Sequence, residues 1–249
     1  MINYVFDVDG TLTPSRGQMN QEFKDFFLDF AFQNEVYLVT GSDHFKTVEQ
    51  VGAEVTERVN AVYNCSGNSV WSKGQEIIKS EWKMDDDVYD WLGQKLQASP
   101  FNCRTGNHIE ERTGLVNFSV VGRNATIGER KMYVEYDNDT DERKHIADEF
   151  NEKFFPKKLV AQVAGETGLD IMEIGSDKGQ IVKYIQEPIH FFGDKMQRGG
   201  NDYPLRIMLG KDSEWTEVSS WKDTFEILKK KVYNLSLIHI SEPTRLPGI

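Results

Sequence analysis

Cysteine is nearly absent from this chain, with two residues in 249, Cys65 and Cys103. Neither has metal-ligand spacing, and both read as free thiols of a reducing compartment. Long apolar runs are lacking as well, and no stretch approaches the roughly 20 residues that a membrane-crossing helix needs. Hydrophobic residues make up 39% of the chain and the mean hydropathy is −0.54, the balance of a soluble globular protein. The N-terminus enters a strand-like segment at once, without the basic and apolar regions of a secretory leader, so a cytoplasmic location is expected. Positive charge is in deficit. Twenty-nine Lys and Arg face 40 Asp and Glu, a net charge of −11. Such a field disfavours nucleic acid and anionic membranes as partners. Any anionic substrate must therefore be attracted locally, by a cation or by arginines.

What is present is concentrated first in residues 4–13. A short apolar run, Tyr4-Val5-Phe6, leads into Asp7-Val8-Asp9-Gly10-Thr11. The side-chain period of a strand is two, so Asp7 and Asp9 share a face for as long as the strand lasts. Gly10 allows the chain to turn at the strand's C-terminal edge, where open α/β sheets place their ligands. One carboxylate there can attack an electrophile or hold a cation, and the second can move a proton. An acidic turn with no further role remains the competing reading. An EF-hand is a poorer rival, because Thr11 stands where a third acidic ligand belongs and no Glu closes the loop.

Along the chain, Asn20 can cap a helix over 21–33 whose Phe23, Phe26, Phe27 and Phe30 fall at helical spacing and read as core. Val36–Val39 reads as a strand ending in Thr40-Gly41-Ser42-Asp43, followed by a helix from His44. A hydroxyl and a glycine between a strand and a helix N-terminus suit phosphate oxygens, although a simple N-cap explains them equally. A third strand, 61–64, completes βαβαβ, the first half of a Rossmann-like, doubly wound parallel sheet. From about Glu81 the pattern changes. A helix over 84–96, a hairpin of 108–112 and 115–121 around Thr113-Gly114, helices over 127–136 and 142–155, and strands at 158–163 and 169–174 suggest an inserted, mainly antiparallel α+β unit. Asp177-Lys178-Gly179 opens another helix, and a short strand at 189–192 ends in Gly193-Asp194-Lys195. Gly199-Gly200-Asn201-Asp202, a helix, a strand at 216–219 and a closing helix over 221–231 follow.

The expected division is thus 1–80 for the first part of the core, 81–176 for the insertion and 177–234 for the rest of the core. Residues 235–249 stand apart. Leu-Ser-Leu-Ile-His-Ile-Ser-Glu-Pro-Thr-Arg at 235–245 matches the in-frame translation of a common sequencing adapter, and is read as a non-native tail with no part in the fold.

Asp7-x-Asp9-Gly10-Thr11, Thr40-Gly41-Ser42, Lys178, and Gly193-Asp194 with Asn201-Asp202, in this order, resemble the haloacid dehalogenase superfamily of phosphotransferases. The resemblance narrows to the eukaryotic-type phosphomannomutases. It rests on Phe6 to Thr13 with Arg16, Gly41-Ser42-Asp43, the hairpin from Ile109 to Arg123, Glu129-Arg130, Phe191 to Lys195 and Gly199 to Asp202, and covers roughly residues 3–230. It implies that Asp7 is the nucleophile that becomes phospho-aspartate and that Asp9 is the general acid/base. Thr40, Gly41, Ser42 and Lys178 would hold the transferring phosphate. Asp7, Asp9, Asp194 and Asp202 would hold Mg²⁺, with Asp9 contributing its backbone carbonyl. Arg16, Arg112, Arg123, Arg130 and Asp170 would bind the phosphorylated hexose under a type-two cap. The chain departs from the family in having Gly168 where the family carries a serine, which touches one sugar or phosphate contact.

The expected activity is a hexose-phosphate mutase that interconverts mannose 6-phosphate and mannose 1-phosphate through a bisphosphate. A hexose 1,6-bisphosphate activator, supply of GDP-mannose synthesis and homodimerisation through the cap are implied by the resemblance. A Mg²⁺-dependent sugar-phosphate phosphatase using the same motifs is the alternative. A non-catalytic sugar-phosphate-binding protein is the second alternative, disfavoured because a binding module has no need of a nucleophile.

Overall fold

The computed structural model describes residues 2–240, and the side chains of residues 2–232. Its first strand, β1 (Asn3–Asp7), lies inside a seven-stranded sheet, third from one edge. Helix α1 (Gln21–Gln33) starts where Asn20 accepts a hydrogen bond from the Phe23 amide at 3.2 Å, which satisfies one of the free N–H groups of the first turn. β2 (Glu35–Val39), α2 (His44–Val51), α3 (Ala53–Arg58) and β3 (Ala61–Asn64) follow. α2 and α3 part at Gly52, which separates what would otherwise be one helix. Two short strands that the sequence pattern does not announce, β4 (Ser69–Ser72) and β5 (Gln75–Lys79), then form an antiparallel hairpin on the sheet edge. β5 lies mostly exposed and so carries no apolar face to read.

Between β5 and the next strand of this sheet comes the inserted unit. It contains α4 (Asp86–Ala98), β6 (Ile109–Arg112), β7 (Leu115–Phe118), α5 (Ile127–Thr140), α6 (Glu142–Phe154), β8 (Leu159–Ala164) and β9 (Gly168–Glu173). Its strands make a second, wholly antiparallel sheet in the order β6-β7-β9-β8. The chain then forms a 3₁₀ turn over Lys178–Lys183, where a longer helix was expected, and returns as β10 (Ile189–Gly193), α7 (Tyr203–Met208), β11 (Glu214–Glu217) and α8 (Trp221–Ile240). β11 begins two residues before the expected strand. α8 runs past the expected end at Lys231, since no Gly or Pro interrupts the chain before Pro243. Residues 241–249 of the proposed tail lie outside the described residues.

The large sheet has the order β11-β10-β1-β2-β3-β4-β5, parallel from β11 through β3. Alternation along β1 sends Tyr4 and Phe6 to one face, onto Phe23, Phe27 and Phe30 of α1 and Phe225 of α8. Val5 goes to the other face, with Tyr63, Ile181, Phe191 and Leu205. A sheet buried on both faces is the physical reason that its strands read as near-continuous apolar runs.

The second sheet is two-faced. Val116, Phe118, Leu169 and Ile171 bury against Trp91, Tyr133 and Phe150 of the helices. Period two therefore turns Glu110, Arg112, Asn117, Gly168 and Asp170 to the opposite face. That face is the one that meets the parallel sheet's C-terminal edge.

Candidate active site

β1 ends at Asp7, so the strand period does not carry on to Asp9. Instead residues 8–13 coil back, with the amides of Leu12 and Thr13 both donating to the Val8 carbonyl. Gly10 stands at φ +83°, and a Cβ there would collide with the Asp194 carboxylate. This turn, and not the strand alternation, brings Asp9 back to the cleft beside Asp7.

Asp7 is buried, and its Oδ1 accepts from Lys178 Nζ at 2.5 Å while Thr11 Oγ1 donates to its Oδ2 at 3.2 Å. The same ammonium donates to Asp202 Oδ1 at 2.7 Å, and the Lys195 amide donates to Asp202 Oδ2 at 3.0 Å. Lys178 is 1% exposed and Asp202 fully buried. Carboxylate oxygens of Asp7, Asp194 and Asp202 lie within 4.8 Å of one another. Burial pushes the Asp7 carboxyl well above its ordinary value. Lys178 opposes that shift, and Asp202 and Asp194 add to it. Burial likewise raises Asp194, opposed by Lys195 and reinforced by Asp202. Burial alone would lower Lys178, but Asp202 and Asp7 hold it charged, above the ordinary lysine value.

Three carboxylates against one buried ammonium leave an excess of negative charge that a divalent cation would balance. All-oxygen donors suit Mg²⁺. Asp7 and Asp202 each accept from two protein donors and would offer the ion their remaining lone pairs, beside the carboxylate of Asp194. The acidic cluster therefore fits the ion that the motifs imply.

Asp9 Oδ1 accepts from the Arg16 amide at 2.6 Å and from Gln50 Nε2 at 2.8 Å. Both bonds fall on one oxygen, which leaves Oδ2 for proton transfer. Thr40, Gly41 and Ser42 line the cleft at the end of β2. The α2 N-cap is Asp43, which accepts from the Lys46 amide at 2.9 Å, while Thr40 Oγ1 accepts from the Ser42 amide at 3.1 Å. Capping thus falls to Asp43 and not to the hydroxyls, so the cap explanation does not account for Thr40 and Ser42.

Three arginines converge from the inserted unit, Arg112 from β6, Arg123 from the turn after β7 and Arg130 from α5. Arg112 Nη1 donates to the Gly41 carbonyl at 3.2 Å, joining the second sheet directly to the loop after β2. Glu110 accepts from Arg112 Nε at 2.8 Å and also from Arg123 Nε. Arg130 reaches Glu166 at 3.5 Å; Glu166 borders the cleft, whereas Arg130 stands behind it. Arg16 lines the opposite side, and burial together with Arg130 and Arg123 lowers its pKa. Asp170 accepts from Asn117 Nδ2 at 2.7 Å, and its carboxyl is raised by burial against the pull of Arg112.

The expected residues therefore collect at one cleft, with Lys178, Asp194 and Asp202 beneath its floor and Arg130 at its back. Sequence reasoning passed over Gln50 and Lys46, and gave no individual role to Glu110, Asn117, Lys195 and Asn201, although these four lie within the motifs that carry the resemblance. Glu110 was legible in principle, since it stands two residues before Arg112 on one strand face. Gln50 carried no signal, because only tertiary packing brings α2 beneath Asp9. Burial lowers the Lys46 pKa, Asp9 opposes this, and Arg16, Arg112 and Arg123 reinforce it, so this lysine belongs to the same cationic wall.

Residues 23–234 match the model of the eukaryotic phosphomannomutase family. The chain is 29% identical to the phosphomannomutase of Saccharomyces cerevisiae, over 93% of this chain and 94% of that protein. It is 32% identical to the phosphomannomutase of Arabidopsis thaliana, over 81% of this chain and 85% of that one. Among solved structures, it superposes on an IMP-nucleotidase of Plasmodium falciparum with a TM-score of 0.64 and 15% identity, covering 93% of this chain and 68% of that one. A haloacid dehalogenase-like hydrolase from Bacteroides thetaiotaomicron gives 0.58 at 11% identity, over 92% and 99% of the two chains. Those two likenesses are of fold. The sequence matches go further, and by them the chain belongs to the eukaryotic phosphomannomutase family.

Proposed function

We propose that the protein interconverts mannose 6-phosphate and mannose 1-phosphate through a phospho-aspartate at Asp7 and a hexose bisphosphate, supplying mannose 1-phosphate for GDP-mannose synthesis. The observation that carries this reading is a cleft with anion-binding groups on both walls. The Asp7–Lys178 pair with Thr40 to Ser42 belongs to the core, and Arg112 of β6, which reaches the Gly41 carbonyl, and Arg123 of the turn after β7 face them from the inserted unit. A substrate with a phosphate at either end of a hexose fits both.

Asp7 attacks the phosphorus, and the P–O bond to the sugar breaks as Asp9 Oδ2 delivers a proton to the leaving oxygen. In the return step Asp9 removes a proton from the incoming hydroxyl, which attacks the phospho-aspartate and restores Asp7. Lys178 neutralises the phosphoryl oxygens and orients Asp7. Phosphoryl transfer depends mainly on such positioning and charge compensation. Mg²⁺, held by Asp7, the Asp9 carbonyl and Asp194 with Asp202 beside them, supplies further charge neutralisation when bound. Arginine suits the distal phosphate because its planar fork binds oxyanions in pairs of hydrogen bonds. Residues 81–176 act as a cap that keeps water from the acyl phosphate while the bisphosphate turns round.

The test is product analysis with mannose 1-phosphate, Mg²⁺ and a trace of hexose 1,6-bisphosphate. Mannose 6-phosphate, stimulated by the bisphosphate, is expected. Inorganic phosphate as the main product, with no stimulation, would replace the mutase with a phosphatase.

A further inference from the structure

Asn117 sits on β7 directly opposite Asp170 on β9, on the polar face of the second sheet, and lines the cleft. It is only 4% exposed. Its Nδ2 donates to Asp170 Oδ1, which orients the amide, since a carboxylate can only accept from the NH₂ side. Its Oδ1 is thereby committed to the other direction. Among the described residues that oxygen is buried without a hydrogen-bond partner. A carbonyl left in that state is costly unless something else donates to it.

The amide lies where it does because residue 168 has no side chain. A Cβ on Gly168 would stand 2.7 Å from Asn117 Nδ2 and 3.1 Å from Oδ1, closer than packed atoms allow. Gly168 and Asn117 thus share one space, filled by the amide. This part of the cleft wall offers acceptors, Asn117 Oδ1 and the Asp170 carboxylate. Acceptors repel phosphate oxygens and match hydroxyl groups.

We infer that Asn117, held against the bare Cα of Gly168, is a specificity-determining residue whose Oδ1 accepts a hydrogen bond from a hydroxyl of the bound hexose phosphate. This rests on the sugar-phosphate reading of the cleft. The residue touches the sugar and takes no part in the chemistry at Asp7.

The test measures KM and kcat for mannose 1-phosphate, with Mg²⁺ and glucose 1,6-bisphosphate, and uses acetyl phosphate turnover as a sugar-free control. Asn117→Ala is expected to raise KM about three- to tenfold, the loss of one neutral hydrogen bond, with acetyl phosphate turnover unchanged. The rise should recur in an Asp170→Ala background, which removes the carboxylate without giving Asn117 Oδ1 a new donor. Gly168→Ser should raise KM by pushing the amide aside, and Gly168→Ser with Asn117→Ala should fall well short of the product of the two single effects. Should Asn117→Ala fail to fold, Asn117→Ser carries the same expectation. A KM within about twofold of the parent overturns the inference. So does an absent effect in the Asp170→Ala background, which would make Asn117 a support for Asp170 alone, and so do multiplicative effects of the Gly168→Ser and Asn117→Ala substitutions. Release of inorganic phosphate alone by the parent protein would defeat the mutase, yet the KM for the sugar phosphate would still decide the role of Asn117.

Discussion

Replacing Lys178 with methionine keeps the length and most of the volume of the side chain but deletes its charge. The ammonium lies 2.5 Å from Asp7 Oδ1 and 2.7 Å from Asp202 Oδ1, with all three side chains at most 4% exposed. Its loss strands two buried carboxylates. Breaking a buried ion pair from one side costs about 3–5 kcal/mol. In a chain of this size each kcal/mol moves the midpoint by roughly 2–4 °C, so a fall in Tm of about 6–20 °C is expected near neutral pH. The sign with pH follows from linkage. Without Lys178 the native pKa of Asp7 rises further above that of the unfolded chain, so the native state binds more protons. The deficit is complete above the raised value and shrinks as pH falls through it. Thermal melts of Lys178→Met at pH 7.5 and pH 5 read this directly, and Asp7→Asn in the same background should recover part of the loss. A Tm within about 2 °C of the parent, or a deficit equal at both pH values, would refute the electrostatic account of this cluster. Mutase activity should be lost in either case, so stability is the informative readout.

Arg123→Ala should lower kcat/KM for hexose phosphates about ten- to a hundredfold, the worth of one charge-assisted contact, and leave acetyl phosphate turnover nearly intact; equal losses on both would make Arg123 structural. Gly10→Ala must adopt φ +83° and crowd the Asp194 carboxylate, so about 1–3 kcal/mol of stability and most of the Mg²⁺ response of activity should be lost, read by melts and by Mg²⁺ titration. His190 Nδ1 faces Lys231 Nζ at 2.9 Å and its Nε2 meets Thr216 Oγ1 at 2.8 Å. Burial first, and then Lys231, pushes its pKa down to about 4, with Glu214 opposing. The unfolded chain therefore takes up a proton that the native ring refuses, and stability falls as pH drops from about 6.5 towards 4. His190→Gln should flatten urea-unfolding stability across that window; an unchanged slope would assign it to other groups.

Local chemistry was enough to place most elements. Asn20, the phenylalanines of α1 and the Thr113-Gly114 turn act within a few residues, and they lie where their spacing put them. The same holds for the apolar runs of β1, β2, β3 and β10, because burial on both faces leaves its mark directly in composition. The hairpin β4–β5 and the break at Gly52 were not legible. A mostly exposed strand such as β5 and a single glycine carry little apolar signal, and the sheet edge decides the pairing of the hairpin. The gathering of Asp7, Lys178, Asp194 and Asp202, and the role each would play, came with the family resemblance. Several of the partners that hold the site did not. Asp202 serves Lys178 and the Lys195 amide, Gln50 holds Asp9, and Glu110 holds two arginines, all through contacts between segments far apart in the chain. Side chains named in a motif have their chemistry from the sequence. Which partner each one faces depends on the packing of sheets and helices around it, and that is set only when the whole chain has folded.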